Sequence, residues 1–517
     1  MPGPSRVAAA FVLLVAAVCP IPSFAQLDSS AFREQILTYR AAHEKQLLTE
    51  FVDLLSIPNH ASDQQGIERN AATIQKMLQA RGVAVQLLRI PGAPPLVYGE
   101  LHAPGARSTI GIYAHYDGQP VDPKQWRNPP FSPILRDAAG RQLEWASLGT
   151  YDPESRIYAR SSSDDKAPVE GTMAALDALQ ASHIPLSTNV KFLFEGEEEA
   201  GSPHLADLLQ QHPDTLLADI WLLCDGPVHQ SRRMQVYFGA RGETDLEMTV
   251  YGPARPLHSG HYGNWAPNPI ILLTHLLDSM RDTDARILIP GFYADVRPLT
   301  PAEKQVLAET PPVDDQLKKE LGLATPEGDG APIAEQILKP AFNIRGIQAG
   351  HVGSEAANVI STEARASIDF RLVPDQTPDK VRQEVKDFIT KQGFFIVHEA
   401  PDLATRQAHA RVVKLDWGSG YPPYRASIDN PAAQNVLQAI EDGIGSPAIK
   451  VVSLGGSIPM YLFEGRTHTP VIGVPIANHD NNQHAADENL RLQNLWDAIQ
   501  IYAAIFARYG EKPAAGH

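Results

Sequence analysis

The fold is decided by the stretch Lys191-Phe192-Leu193-Phe194-Glu195-Gly196-Glu197-Glu198-Glu199-Ala200-Gly201-Ser202. Its apolar half predicts a buried strand, which ends abruptly in a cluster of acidic residues and a Gly-Ser pair. Carboxylates at the end of a buried strand repel one another, and their charge costs free energy unless a positive group compensates it. A divalent metal ion provides that compensation, and α/β sheets place ligands at strand ends. A solvated acidic turn is the alternative for this stretch taken alone.

Length, composition and charge indicate a multidomain globular protein. The chain of 517 residues is too long for a single compact core, so about two or three domains are expected. Hydrophobic residues make up 43% and charged residues 20% of the chain, which is ordinary for a globular protein. The formal net charge of −16 argues against nucleic acid or an anionic membrane as a partner.

The N-terminus has the features of a secretory signal peptide. Arg6 provides a short positive region, residues 8–18 are continuously apolar, and Ser23-Phe24-Ala25 offers small residues for a cleavage site. Because the apolar run is too short to span a bilayer, we expect cleavage after Ala25 and no membrane anchor. The mature chain then keeps one cysteine, Cys224, and has no intramolecular disulfide. These features predict a periplasmic or secreted protein.

Alternating helical and strand-like segments predict an α/β fold that contains an insertion. Residues 26–241 alternate in the way typical of a mixed sheet flanked by helices. Residues 242–427 change character and predict an inserted α+β lid or dimerisation domain. The α/β pattern then resumes over residues 428–517. We therefore expect a signal peptide (1–25), a catalytic domain in two parts and one inserted domain between them.

Five residues at the ends of predicted strands, or in the loops after them, are candidate metal ligands: His115, Asp164, Glu199, Asp225 and His484. Taken singly, each residue is weak evidence for a metal site, because a loop histidine is seldom a ligand and an aspartate after a strand often caps a helix. Together, at one edge of one sheet, two histidines and three carboxylates suit a pair of divalent ions such as zinc, with one carboxylate bridging. Two ions about 4 Å apart can hold a hydroxide between them and polarise a carbonyl group, which favours hydrolysis.

Two further carboxylates complete the predicted chemistry. A hydrolase needs a base that is not itself a ligand, and Glu198 is placed for that role beside Glu199. Asp117, two residues after His115, can hold the imidazole in the required tautomer. The chain contains no Gly-x-Ser-x-Gly segment, which disfavours a serine hydrolase.

These motifs resemble those of the di-zinc metallopeptidase family of carnosine dipeptidases, aminoacylases and glutamate carboxypeptidases. Within that family the chain most resembles the carnosine dipeptidase branch. The matching segments are His115-Tyr116-Asp117, Ser163-Asp164-Asp165-Lys166, the acidic stretch from Glu195 to Ser202, Cys224-Asp225 and His484. They follow the family's order over nearly the whole mature chain.

The resemblance implies a role for each of these positions. Asp164 would bridge the two zinc ions. Glu199 and His484 would complete one zinc site, and His115 and Asp225 would complete the other. Glu198 would be the general base, and the peptide bond after Asp164 would be cis.

Two lid segments also resemble parts of this family. The segment Pro256–His261 is similar to the motif whose histidine reaches into the partner's active site, which implies a homodimer in which His258 stabilises the oxyanion. Arg371 lies in a segment similar to the strand whose arginine binds a substrate carboxylate. The alternatives are a structural turn and a surface arginine.

The remaining substrate-binding predictions concern loops. Gly456 and Ser457 lie in a loop similar to the one that lines the carboxylate pocket of the family, although a structural turn is the alternative for Ser457. Asn358 is also predicted to bind substrate. Residues 137–157 resemble an insertion that could reshape the pocket entrance.

The sequence therefore predicts a secreted di-zinc amidohydrolase that cleaves dipeptides or short peptides with a free C-terminal carboxylate. Manganese or cobalt could replace zinc. The first alternative is an N-acyl-amino-acid amidohydrolase, which uses the same chemistry on another acyl group. The second is a periplasmic binding protein or metal store on the same scaffold. Glu198 argues against it, since binding alone gives no reason for a base beside a ligand.

Overall fold

The structure is a computed structural model that describes residues 28–464 and 468–511, so the predicted signal peptide lies outside the described residues. The α-helices are α1 (Ser29–Leu55), α2 (Gln64–Ala80), α3 (Lys166–Ala181), α4 (Leu205–Gln211), α5 (Ser259–Tyr262), α6 (Pro269–Met280), α7 (Pro301–Glu309), α8 (Asp314–Glu320), α9 (Ile333–Gln336), α10 (Pro378–Lys391), α11 (Leu403–Ala408), α12 (Pro431–Ile444), α13 (Met460–Glu464) and α14 (Leu492–Arg508). The strands are β1 (Ala84–Leu88), β2 (Leu96–Leu101), β3 (Thr109–His115), β4 (Ile134–Arg136), β5 (Gln142–Leu143), β6 (Arg156–Tyr158), β7 (Asn189–Glu195), β8 (Ile220–Leu223), β9 (Gln235–Tyr237), β10 (Gly239–Ala240), β11 (Gly242–Tyr251), β12 (Leu257–His258), β13 (Ala341–Gln348), β14 (Val359–Ile360), β15 (Glu363–Leu372), β16 (Phe395–Val397), β17 (Val412–Trp417), β18 (Tyr424–Arg425), β19 (Ile449–Val451), β20 (Val471–Gly473) and β21 (Asn489–Arg491).

An eight-stranded mixed sheet forms the centre of the catalytic domain, in the order β1-β2-β7-β3-β8-β20-β9-β19. The four neighbours β7, β3, β8 and β20 run parallel to one another. Their residues are almost all apolar and buried, as expected for strands that are covered on both faces. Because the strands are parallel, their carboxyl ends meet at one edge of the sheet, and the polar loops that follow converge there.

Helices cover both faces of this sheet. On one face α1, α2, α3, α12 and α14 contribute to a large apolar core around residues such as Phe192. On the other face α4 and α13 pack over Tyr113 and Trp221, which are fully buried. Burial of an aromatic side chain of this size stabilises the fold by about 2–3 kcal/mol. The predicted α/β class is confirmed.

The inserted domain has its own sheet and its own core. Its five strands lie in the order β13-β15-β11-β17-β16, and residues of α6 and α10 pack against the sheet in a second apolar core. Strand β13 is at the edge of this sheet, and from Asn343 onward its residues are exposed. This α+β insertion agrees with the predicted architecture, whereas the boundaries at 242 and 427 stay predictions.

One part of the predicted lid range packs on the catalytic domain. Val306, on α7, and Leu338 both belong to the core formed on the main sheet. Glu303 forms an ion pair with Arg425 at 2.8 Å, and both side chains are buried. The segment around α7 therefore connects the two domains, in addition to the chain crossings between them.

The predicted insertion at residues 137–157 forms regular structure. It contributes β5, the start of β6 and a short helical turn at Trp145–Ser147. Strands β21, β6, β4 and β5 together form a small sheet beside the main one. Within the part of the chain that the structure describes, no helix has the length and apolar character needed to cross a membrane.

Candidate metal centre

The parallel strands bring most of the predicted ligands to one edge of the sheet. His115 is the last residue of β3, Glu198 and Glu199 follow β7, and Asp225 follows β8. His484 lies in the loop that connects β20 to β21. His115, Glu199 and Asp225 are thus placed by the ends of three adjacent buried strands, whereas His484 is placed by the loop that follows the fourth, β20.

Asp164 lies between the two histidines. Its Oδ1 is 2.9 Å from Nε2 of His115, and its Oδ2 is 3.2 Å from Nε2 of His484. Nε2 of His484 also lies 3.3 Å from Oε2 of Glu199. Asp164 could therefore offer one carboxylate oxygen to an ion on each side, and its bridging role stays a prediction. The Asp164–Asp165 peptide bond is cis, as the resemblance implies.

Two groups of ligand atoms are close enough to hold an ion each. Asp164, Glu199 and His484 form one group, and His115, Asp165 and Asp225 form the other, with the ligand atoms of each within 4.8 Å of one another. Asp165 is an addition to the predicted set: its Oδ2 accepts a hydrogen bond from the backbone N–H of His115, at 3.2 Å.

Asp117 connects the ligand loops, as a supporting residue should. The Nδ1 atom of His115 lies 3.4 Å from its Oδ1. The same carboxylate accepts hydrogen bonds from the backbone N–H groups of Glu198 and Glu199, at 3.1 and 3.0 Å. Because Asp117 is fully buried, it fixes the orientation of His115 relative to the acidic loop after β7.

Glu198 lies beside the ligands without belonging to either group. Its Oε2 is 3.9 Å from Nε2 of His115. Burial raises the pKa of Glu198 well above its ordinary value, and the proximity of His115 opposes that shift only in part. A carboxyl group that is not a ligand and lies beside the ligands is placed to exchange a proton with a water bound there, which suits a general base.

The charges of the cluster attract cations. Burial by itself would raise the pKa of Asp164, but its interactions with His115 and His484 lower that pKa below the ordinary value. Interactions with Asp164 and Glu199 in turn raise the pKa of His484 to about 10. Burial, and after it the charge of Asp164, raises the pKa of Asp225 to about 7.

The residues present fit two divalent ions. Imidazole nitrogens and carboxylate oxygens are the donors that zinc accepts, and they occur here in two groups. Oδ1 of Asp165 is buried without a hydrogen-bond partner, so it has a lone pair available to an ion. The negative cluster also draws protons onto its imidazoles, and metal ions would replace those protons as the compensating charge.

A close approach of two strands holds Asp225 in place. The hydroxyl of Tyr237, on β9, donates a hydrogen bond to the backbone carbonyl of Asp225 at 2.8 Å. The ring passes directly over Gly473 of β20, where an added Cβ would lie 1.7 Å from the ring. Only glycine at this position permits the contact.

The structure brings two predicted substrate-binding residues together. Nη1 of Arg371, on β15 of the lid, donates a hydrogen bond to Oγ of Ser457 at 2.9 Å. Arg371 also contacts Glu243 at 2.8 Å and Asp369 at 2.9 Å. Gly456 lies in the same loop, and its carbonyl accepts a hydrogen bond from the backbone N–H of Arg241. This contact between the lid and the catalytic domain is made within one chain.

His258 and Asn358 lie next to each other on the lid. His258 pairs with Val359 in the short β12–β14 ladder, and the N–H of Ser259 donates to the carbonyl of Asn358 at 2.8 Å. Both side chains are exposed, and Nδ1 of His258 accepts a hydrogen bond from the N–H of Gly260. These two predicted residues therefore share a surface of the lid, and their contacts are with lid residues.

Comparison with known proteins gives the family. The model of Peptidase family M20/M25/M40 matches residues 111–508. Cys-Gly metallodipeptidase dug1 of Schizosaccharomyces pombe is 26% identical over 415 residues, which are 79% of this chain and 81% of the relative. Beta-Ala-His dipeptidase of Homo sapiens is 24% identical over 500 residues, which are 92% of each protein.

A solved structure agrees with this result. The metallo-carboxypeptidase Sso-CP2 from Sulfolobus solfataricus superposes with a TM-score of 0.75 at 27% identity, over 90% of this chain and 99% of that one. The family match covers the loops that carry the two ligand groups, and these groups have the donor chemistry that a metal-dependent peptidase needs. The chain belongs to Peptidase family M20/M25/M40 and is a metal-dependent peptidase.

Proposed function

We propose that the protein is a di-zinc dipeptidase that cleaves the amide bond of dipeptides or short peptides with a free C-terminal carboxylate. The observation that carries this proposal is the pair of ligand groups, one of which contains Asp164, together with the Arg371–Ser457 contact between the domains. The dipeptidase relatives support the substrate class. Manganese or cobalt could take the place of zinc with the same donors.

The residues of the chain divide the reaction between them. Bound divalent ions would polarise the scissile carbonyl and supply a nucleophilic water at neutral pH. Glu198 accepts the proton of the attacking water and returns it to the leaving amine. Asp117 holds His115 and the backbone of the acidic loop in fixed positions relative to each other.

Arg371 is the proposed anchor for the substrate carboxylate. A guanidinium group pairs with a carboxylate through parallel hydrogen bonds. The contacts of Arg371 with Ser457, Glu243 and Asp369 use Nη1 and Nε, and Nη2 is not among these donors. Ser457 and Gly456 would line the same pocket. A free C-terminal carboxylate would then bind at a fixed distance from the metal centre.

We further propose a homodimer formed through the lid, in which His258 and Asn358 act on the partner's active site. The exposed edge of β13 carries Ile344 and Ile347. An exposed apolar edge strand is a ready surface for pairing with a second copy. Ile347→Asp should give a monomer with little activity in gel filtration and turnover assays. Leu217→Asp, at another exposed apolar residue, should leave the dimer intact.

A panel of substrates tests the proposed reaction. The metal-loaded enzyme should hydrolyse Cys-Gly or β-Ala-His, and it should turn over their N-acetylated forms more slowly. The reverse order would favour the alternative, an N-acyl-amino-acid amidohydrolase. No turnover of either class, with metal bound, would favour a binding protein on the same scaffold.

The N-terminal sequence supports export to the periplasm or the medium. Residues 6–25 have the charge, apolar run and small residues of a signal peptide. Expression of the full chain in a bacterium, followed by fractionation and N-terminal sequencing, should give a mature protein that begins at Gln26. An unprocessed protein retained in the cytoplasm would contradict this part of the proposal.

A further inference from the structure

A buried carboxylate outside the predicted constellation connects the loops of two candidate ligands. Glu488 is 0% exposed and lies four residues after His484. It contacts the segment from Arg160 to Asp164, which immediately precedes α3. Burying a carboxylate costs free energy unless hydrogen-bond donors surround it, so the donors around Glu488 indicate its structural role.

Glu488 accepts five hydrogen bonds. Its Oε1 accepts from the N–H of Ser163 at 3.0 Å, from the hydroxyl of Ser163 at 2.8 Å and from the N–H of Asp164 at 3.0 Å. Its Oε2 accepts from Nη1 of Arg160 at 2.7 Å and from the N–H of Ser161 at 2.9 Å. Both carboxylate oxygens of Glu488 therefore accept hydrogen bonds: Oε2 from Arg160 and Ser161, and Oε1 from Ser163 and Asp164.

The segment before α3 needs such a partner. Ser161 has φ = 62°, in the left-handed region that residues other than glycine rarely adopt. The backbone N–H groups of Ser161, Ser163 and Asp164 turn toward a single point, where Glu488 satisfies them. A carboxylate can do this because both of its oxygens are acceptors, whereas an amide offers only one.

The loop that carries His484 is also held by Glu488 and its partner Arg160. Arg160, which pairs with Glu488, also donates through Nη2 to the carbonyl of Ala485, next to His484. Asn489, the residue after Glu488, bonds back to the carbonyl of Asn481 through its backbone N–H at 2.9 Å. Glu488 is thus held by its own loop while it holds the loop of Asp164.

We propose that Glu488 is a positioning residue that fixes the separation of Asp164 from His484 and thereby the affinity of the site for metal. The inference rests on the proposed two-metal function. It predicts that metal affinity depends on a residue that donates no atom to either ligand group. Partners that orient ligands in this way commonly change metal affinity by about 10–100-fold when they are altered.

Glu488→Gln tests the proposal because it keeps the size of the side chain and removes one acceptor. The zinc-loaded full chain is titrated with a chromophoric chelator, which reports the dissociation constant without reference to activity. We expect zinc binding to weaken by about 10–100-fold. Ser163→Ala removes a single donor to Oε1 and should weaken zinc binding in the same direction by less.

Glu303→Gln is the matched control. This substitution also breaks a buried ion pair with an arginine, because Glu303 lies 2.8 Å from Arg425. Glu303, however, is on α7, at the contact between the two domains. The substitution should lower thermal stability and keep the parent zinc affinity. Unchanged zinc affinity in a folded Glu488→Gln variant would overturn the proposal, as would an equal loss in Glu303→Gln.

Failure of the role proposed for Glu488 can be distinguished from failure of the proposed two-metal function. If Glu488→Gln does not fold, parent-like zinc affinity in Ser163→Ala overturns the inference. If the parent protein itself binds no divalent ion, the proposed function fails, whatever the variants do.

Discussion

At the scale of single residues, Glu198 and Glu199 are neighbours with different proposed roles. Glu198→Gln keeps the shape of the side chain and removes the proton acceptor. We expect kcat to fall by about 10²–10⁴-fold while the metal content stays near that of the parent. Glu199→Gln, which removes a charged ligand, should instead lose metal. Parallel metal analysis and turnover of both variants check the assignment, and loss of metal from Glu198→Gln alone would reverse the two roles.

The proposed anchor makes a second prediction at this scale. If Arg371 binds the C-terminal carboxylate, the parent enzyme should prefer a dipeptide over its C-terminal amide. Arg371→Lys keeps the charge but loses the paired geometry, so kcat/KM for the free acid should fall by about 10–100-fold. The slow reaction of the amide should change little. A variant that still prefers the free acid as strongly as the parent would contradict this role.

Among the elements, helix α14 carries a carboxyl group with a shifted pKa. Burial raises the pKa of Asp497 from its ordinary value of 3.8 to about 6, although Gln493 donates a hydrogen bond to it. Because the folded protein holds this proton more tightly than the unfolded chain, the free energy of unfolding contributed by Asp497 falls as the pH rises from about 4 to about 6.

Asp497→Asn removes this titration. Above pH 6 the variant should be more stable than the parent by about 1–3 kcal/mol, and the difference should disappear below pH 4. Urea unfolding of both proteins across this range measures it. The exposed Asp278→Asn serves as the control and should follow the parent. A constant difference at all pH values would show that Asp497 acts through packing alone.

The elements also show what could be predicted from sequence and what could not. The placement of His115, Glu199 and Asp225 could be predicted because each follows an apolar run, and parallel strands bring their ends together. Glu488 could not, because its partners lie 324 to 328 positions earlier in the chain. Its one local signal is a carboxylate next to a strand, in the same polar loop as a candidate ligand. The packing of α7 on the catalytic core depends equally on distant contacts.

At the scale of the whole molecule, the proposed dimer can be tested by mixing two inactive variants. The Arg371–Ser457 contact lies within one chain, whereas His258 is proposed to serve the partner. His258→Ala and Arg371→Ala should each be nearly inactive as homodimers. In a mixed dimer one site contains both altered residues and the other contains neither. Random exchange of equal amounts should therefore restore about a quarter of the parent activity, from the statistics of a two-fold dimer. No recovery after proven exchange, or an active monomer, would contradict the role of His258.

The central claim is that two divalent ions bound on either side of Asp164 carry out peptide hydrolysis. The most direct measurement is the metal content of the purified chain, determined together with its turnover of a dipeptide before and after exhaustive metal removal. We expect about two divalent ions per chain, loss of turnover when they are removed and recovery of turnover when zinc or manganese is restored. Full turnover by a protein that holds no metal would contradict it.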